Sequence, residues 1–191
     1  MNRETAVNQL KETYNILAKD LDEIVAYGKD NNSDFAQRTL VRTHFALIEG
    51  MSYQLRQVAL ASLEPHRGML TPGEISILRE EKYLLNHKGE VEPKEIFQKP
   101  LPSMLFSMTS YAKAHGTTFA PDRGNHGWDA MKKLVRIRNG LMHPKSAAGL
   151  SLSDEDLQQV VEAAKWWKST MLELFATCKE ADEFWNSKLN A

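Results

Sequence analysis

At 191 residues, with 42% hydrophobic and 26% charged side chains, the chain has the composition of one globular domain with a sizeable core, and not of a disordered tail. A formal net charge of -1 excludes a globally basic nucleic-acid binder, so any such surface has to be a local patch. The single Cys178 excludes an intramolecular disulfide framework and leaves too few thiolates for a structural zinc site. The start lacks the basic-then-apolar pattern of a secretory signal, and no run of about 18 apolar residues suggests a membrane span, so the expectation is a cytoplasmic protein.

The spacing predicts a first helix from about Arg3 to Tyr27, with Val7, Leu10, Tyr14, Leu17, Leu21 and Ile24 as a narrow stripe. Such a stripe fits an antiparallel bundle better than a coiled coil, because it covers only about three heptads. Asp30 to Asp34 reads as a turn ending in capping residues. A second long helix follows, from about Asp34 to Leu63, with Leu40, His44, Leu47, Ile48, Met51, Leu55 and Val58 inward. Arg42, Glu49 and Arg56 sit seven apart on another line of it. Glu64 to Gly68 is expected to break that helix. Thr71-Pro72-Gly73-Glu74 has the form of a capping box with proline in the first turn, opening a helix through about Leu85. A long loop is expected around 86–103, with Val91 to Phe97 as a possible extended piece, and Ser103 capping a helix from Met104 to Ala114. A second long loop covers 115–127; its length marks it as functional or mobile, and its Arg123 could reach a phosphate. His115 and His126 make a poor metal pair, since no third ligand accompanies them at suitable spacing.

Trp128, Met131, Leu134 and Val135 then recur at i, i+3, i+4 and i+7, and Arg138 falls back on that apolar face two turns after Met131. A cation on an inner face needs a partner. Pro144 disfavours α geometry at His143, so this helix should end there. Lys145 to Leu152 forms a turn, and Ser153 starts a last helix whose Asp154, Glu155 and Asp156 suit its N-terminal dipole. Leu157, Val160, Val161, Ala164, Met171 and Phe175 are its inner face, which Trp166, Trp167 and Leu174 broaden. The expected fold is therefore all-α, a bundle of five to seven helices in one domain spanning residues 1–191.

The stretch Arg138-Asn139-x-x-x-His143 resembles the Arg-x(4–6)-His signature of the HEPN superfamily, in the version where a polar residue follows the arginine. What the resemblance implies is a HEPN-like helical domain acting as a metal-independent endoribonuclease, with Arg138, Asn139 and His143 catalytic and no cofactor. It also implies a homodimer whose two motifs line one cleft, RNA as substrate, and an antitoxin or a nucleotidyltransferase-like protein as a further partner. Such a role would be that of a toxin or defence component. The residue types suit that chemistry. Histidine titrates near neutral pH, and the arginine fork grips phosphate while staying charged. Asn139 could orient a neighbour, and Gly140 could let backbone approach closely. Between Trp128 and Lys145 the only acid is Asp129, against Lys132, Lys133, Arg136, Arg138 and Lys145. Lys132, Lys133, Arg136 and Lys145 are thus candidate substrate-binding residues, or else a solvated helix face.

Glu49 and Arg42 are candidate supports: either one faces the end of the Arg138 helix and fixes the guanidinium, or Glu49 is a surface carboxylate. Two other readings stay open. Arg138 and His143 could be structural, with the arginine paired to a carboxylate such as Glu49 and the histidine capping carbonyls in a noncatalytic HEPN-like module that binds a protein, nucleic acid or nucleotide. The chain could also be an unrelated helical bundle.

Overall fold

The computed structural model describes residues 1–63, 70–95 and 98–189. Among them are six α-helices and one two-stranded sheet, and the fold is an all-α helical bundle. The helices are α1 (Arg3–Asp30), α2 (Asp34–Ala61), α3 (Pro72–Leu78), α4 (Pro100–Ala114), α5 (His126–Met142) and α6 (Asp154–Leu189). The strands β1 (Glu81–Leu85) and β2 (Val91–Glu95) pair antiparallel between α3 and α4. None of the described helices is long and apolar enough to cross a membrane. The chain forms two compact units. One holds Met1–Leu10, Ser52–Phe119 and Ala176–Ala191, the other Lys11–Met51 and Ala120–Phe175, so residues of α1, α2 and α6 fall in both.

In the first unit Ala59, Leu78 and Ala114 are buried together, with Leu60, Leu70 and Phe106 packed on them. The buried Arg56 guanidinium donates to Ser103 Oγ and to Glu80 Oε1, each at 2.6 Å. Glu80 has a φ of 57°, a left-handed conformation that costs a non-glycine residue energy and lets the chain turn sharply out of α3. The Arg56 bond holds it there. His115 Nδ1 lies 2.9 Å from Asp182 Oδ2, and Arg3 Nη2 is 3.4 Å from the same oxygen. His115 is therefore the buried member of a partly exposed polar cluster with Arg3 and Asp182. Burial pushes the Cys178 thiol up to about 12, as an inert packed cysteine requires.

This unit departs most from the sequence reading. The capping box at Thr71 and Glu74 forms as expected, but α3 ends at Leu78 and does not run to Leu85. Leu85 lies in β1 and is 72% exposed. A turn from Asn86 to Gly89 closes the hairpin: the Asn86 side chain accepts from the backbone of Lys88 and Glu90, and Gly89 takes the φ of 79° that the turn needs. The loop expected around 86–103 therefore contains β2 and the start of α4. That helix begins at Pro100, because proline lacks only an N–H that a first turn leaves unbonded anyway, and Ser103 is an interior residue that accepts from Arg56. The expected break at Glu64 to Gly68, and the Ile96 and Phe97 end of the extended piece, lie outside the described residues.

In the second unit Val41, Phe45, Leu47, Ile48, Met131, Leu134, Leu141, Trp166, Trp167 and Leu174 are buried. The inner face predicted for α2 is buried here from His44 to Met51, with Leu40 half-exposed. The stripe of α1 is shallower than expected: Leu10 is buried, whereas Tyr14 is exposed and Leu17, Leu21 and Ile24 are half-buried. Val161 of α6 is exposed, not inward. The second expected loop leads from α4 to Asn125, which caps α5 by accepting from Trp128 N–H at 3.0 Å. Asp122 organises its end, accepting from Gly124 N–H and Asn125 Nδ2, while its carbonyl takes the Trp166 indole N–H at 2.9 Å.

Trp166 also packs on Trp128, with ring centroids 5.2 Å apart, and it leaves no room over α5. A Cβ on Gly127 would sit 2.6 Å from Trp166 Cβ. Gly127→Ala is expected to destabilise the fold by about 1–3 kcal/mol, because neither the helix nor the anchored indole can yield cheaply. A urea midpoint unchanged from wild type would show that the contact relaxes.

Candidate functional site

The sequence of α5 places Arg138 on the face that also carries Met131, Leu134 and Leu141, all buried. The side chain is not swallowed there. It keeps 22% exposure and meets three groups at the edge of the core. Its Nη2 donates to Glu49 Oε1 at 3.1 Å and Oε2 at 3.4 Å, and its Nη1 donates to Asn139 Oδ1 at 3.2 Å. The guanidinium carbon lies 4.8 Å from the centroid of the buried Phe45 ring, a cation–π contact. Glu49 is 47% exposed, so the pair is open to water and contributes at most about 1 kcal/mol to stability. These contacts fix the orientation of the guanidinium more than they stabilise the fold.

A second cation of α2 holds the end of the same helix. Arg42 Nη2 donates to the Leu141 carbonyl at 3.3 Å, one of the last-turn carbonyls that no helical N–H can reach. Arg42, Phe45 and Glu49 follow the i, i+3, i+7 spacing, so a single face of α2 grips α5 at both Leu141 and Arg138. His143 closes α5 as its C-cap, with its backbone N–H donating to the Asn139 carbonyl at 3.0 Å. Its side chain is exposed. Carbonyl capping at this helix end thus falls to Arg42 and leaves the imidazole open to solvent.

The remaining candidates lie elsewhere on α5. At about 100° per residue, Lys132, Lys133 and Arg136 stand roughly 120–160° around the helix from Arg138. All three are exposed, and with His126 and Asp129 they line an open hollow of about 330 Å³. Lys132 donates to Asp129 at 2.6 Å, and that hydrogen bond holds the Asp129 carboxyl below its ordinary range. Lys133 lies 3.7 Å from Glu155. Lys145 is exposed in the turn after Pro144. The structure therefore gathers Arg138, Asn139, Glu49 and Arg42 at one end of α5 and puts Lys132, Lys133 and Arg136 on a separate face. A Cβ added at Gly140 would meet nothing within 4 Å among the described residues outside its own helix backbone. Among the described residues no group of three His, Cys, Asp or Glu stands together as metal ligands would.

Two residues of this region were not singled out from sequence for what they do here. Phe45 sits under the guanidinium, and only its i, i+4 relation to Glu49 could have pointed to it. His44 is buried 6.4 Å from Trp167, ring to ring, and its Nε2 has no hydrogen-bond partner among the described residues. Burial lowers its pKa to about 4.

Comparison with known proteins leaves the family open: no family model matches the chain, and no curated protein or solved structure matches it. The HEPN resemblance rests on Arg138, Asn139, His143 and their place at a helix end.

Proposed function

We propose that the chain is a metal-independent endoribonuclease of the HEPN type, with Arg138 as phosphate-binding cation and His143 as proton-transfer group. The observation that carries this reading is the oriented, half-open guanidinium of Arg138. Glu49, Asn139 and Phe45 hold it, and it remains partly exposed one turn before an exposed histidine.

Cleavage would proceed by attack of the ribose 2′-oxygen on the adjacent phosphorus, breaking the bond to the 5′-oxygen. An imidazole removes the 2′-proton, and a protonated one supplies a proton to the departing oxygen. The guanidinium offsets the charge that builds on the equatorial phosphate oxygens. One motif holds one histidine, so pairing two copies of the chain around a shared cleft supplies both base and acid. The toxin or defence role and the antitoxin or nucleotidyltransferase-like partner follow from the resemblance alone. The alternative, a noncatalytic binding module, draws on Glu49, which already occupies Arg138 Nη2.

Incubation of labelled RNA with the purified protein in EDTA tests the proposal. Fragments ending in a 2′,3′-cyclic phosphate, facing 5′-hydroxyl ends, are the expected products. Intact RNA, across structured and single-stranded substrates, would leave the binding module as the better reading.

A further inference from the structure

The hairpin of the first unit is unusual in what it leaves uncovered. Lys82 to Leu85 and Val91 to Lys94 are all exposed, and a two-stranded ribbon with neither face packed is marginal in water. The register pairs Tyr83 with Pro93 and Leu85 with Val91, which puts four apolar residues on one face, three of them 53–72% exposed. On the opposite face Lys82 stands directly across from Lys94, a like-charge pair that weakens a sheet. Neither lysine joins an ion pair among the described residues.

The two edges of the ribbon differ. Asn86 N–H donates to the Glu90 carbonyl at 3.0 Å, which fixes the alternation of the ladder. Lys82 and Leu84 are then bonded to β2, while the backbone groups of Glu81, Tyr83 and Leu85 point outward. So do those of Val91 and Pro93 on the other side. Pro93 has no N–H, so the outer edge of β2 cannot accept another strand across its centre. On β1, among the described residues, only the Glu81 carbonyl is taken, by Ser76 Oγ at 2.7 Å. The groups of Tyr83 and Leu85 form an open donor–acceptor edge beside an apolar face.

We propose that β1 is a docking edge for an extended segment of another protein, one that alternates apolar residues with carboxylates. Such a segment adds as a third strand. Its apolar side chains lie beside Tyr83 and Leu85, and a carboxylate opposite Lys82 compensates the Lys82–Lys94 repulsion. This edge acts independently of the Arg138 site.

The test uses two capped, labelled peptides, Thr-Val-Glu-Val-Glu-Val and its counterpart with lysine for glutamate, titrated into the full-length protein by fluorescence anisotropy. Saturable binding of the acidic peptide is expected, with at least tenfold weaker binding of the basic one. Tyr83→Pro removes the outward N–H and the side-chain bond from Tyr83 Oη to Glu81 Oε2, but no backbone bond between the two strands, and should weaken binding at least tenfold. Lys82→Glu relieves the like-charge pair, leaves the edge intact and should reverse the preference between the peptides. No saturable binding by wild type, or a Lys82→Glu variant that still prefers the acidic peptide, overturns the proposal. So does a concentration-dependent dimer that Tyr83→Pro disperses, because the occupant would then be a second copy of this chain.

Discussion

Arg138→Ala is expected to lower the RNA-cleavage rate by about 10³-fold, roughly 4 kcal/mol of transition-state stabilisation, while the fold loses no more than about 1 kcal/mol. The asymmetry follows from where the side chain sits. Its ionic partner Glu49 is nearly half exposed, so the pair adds little to stability, whereas a cation lost beside a phosphorane has no replacement. Arg138→Lys should restore only a small part of the rate, because an ammonium cannot contact Asn139, Glu49 and a phosphate from one planar fork. His143→Ala should cost a comparable factor, since it removes the group proposed to move the protons.

Glu49→Ala separates positioning from packing. It frees Nη2 but removes its anchor, and the expected result is a rate lowered by about tenfold with KM little changed. Full activity in Glu49→Ala would show that the carboxylate does not orient the guanidinium. Full activity in Arg138→Ala, with the protein folded by circular dichroism, would remove the proposed chemistry altogether.

The long helices were legible because their apolar residues repeat every three or four positions over many turns, and a repeat of that length rarely arises without a helix to bury it. The grip of α2 on the end of α5 was legible in part. Arg42 and Glu49 interrupt a strongly apolar stretch at sevenfold spacing, and an inner-face arginine on α5 demanded a partner. Phe45 was hidden because an aromatic ring in an apolar run reads as core, and here it is both core and the floor under a cation. The hairpin was misread for a physical reason. Leu78 and Leu85 are one heptad apart, so the helical pattern runs on through Leu85 in sequence, but Glu80 breaks it with a left-handed φ, its carboxylate held by Arg56. No local propensity encodes that bond, which joins residues 24 positions apart. The separation of Lys132, Lys133 and Arg136 from Arg138 follows from about 100° of rotation per residue. Counting charge along the chain conceals it.

Stability should fall by about 2 kcal/mol between pH 7 and pH 5 because of His44 alone, and by about 3 kcal/mol by pH 4. Burial lowers the pKa of this imidazole to about 4, against the ordinary value of 6.5 that it regains when the chain unfolds. Between those values the unfolded chain holds a proton that the folded one excludes, so acid draws the equilibrium toward unfolding. The loss begins as pH drops through 6.5 and levels off below 4. The ring lies edge-on to Trp167, and no hydrogen-bond partner for Nε2 is found among the described residues. The carboxyls of Glu74, Asp129 and Glu162 are all held below their ordinary range, Glu74 chiefly by Lys113, Asp129 by Lys132 and Glu162 by Lys165. Their stabilising contributions are lost only as pH falls below the usual carboxylate range, so the interval from about 6.5 to 5 belongs to histidine. Urea unfolding of wild type and His44→Gln at pH 7, 6 and 5 isolates the effect, since the amide cannot take up a proton. The two proteins should differ by about 2 kcal/mol less at pH 5 than at pH 7, because only wild type loses stability there. Parallel curves would mean that the folded protein admits a protonated His44, and that this part of α2 is wetter than its burial implies.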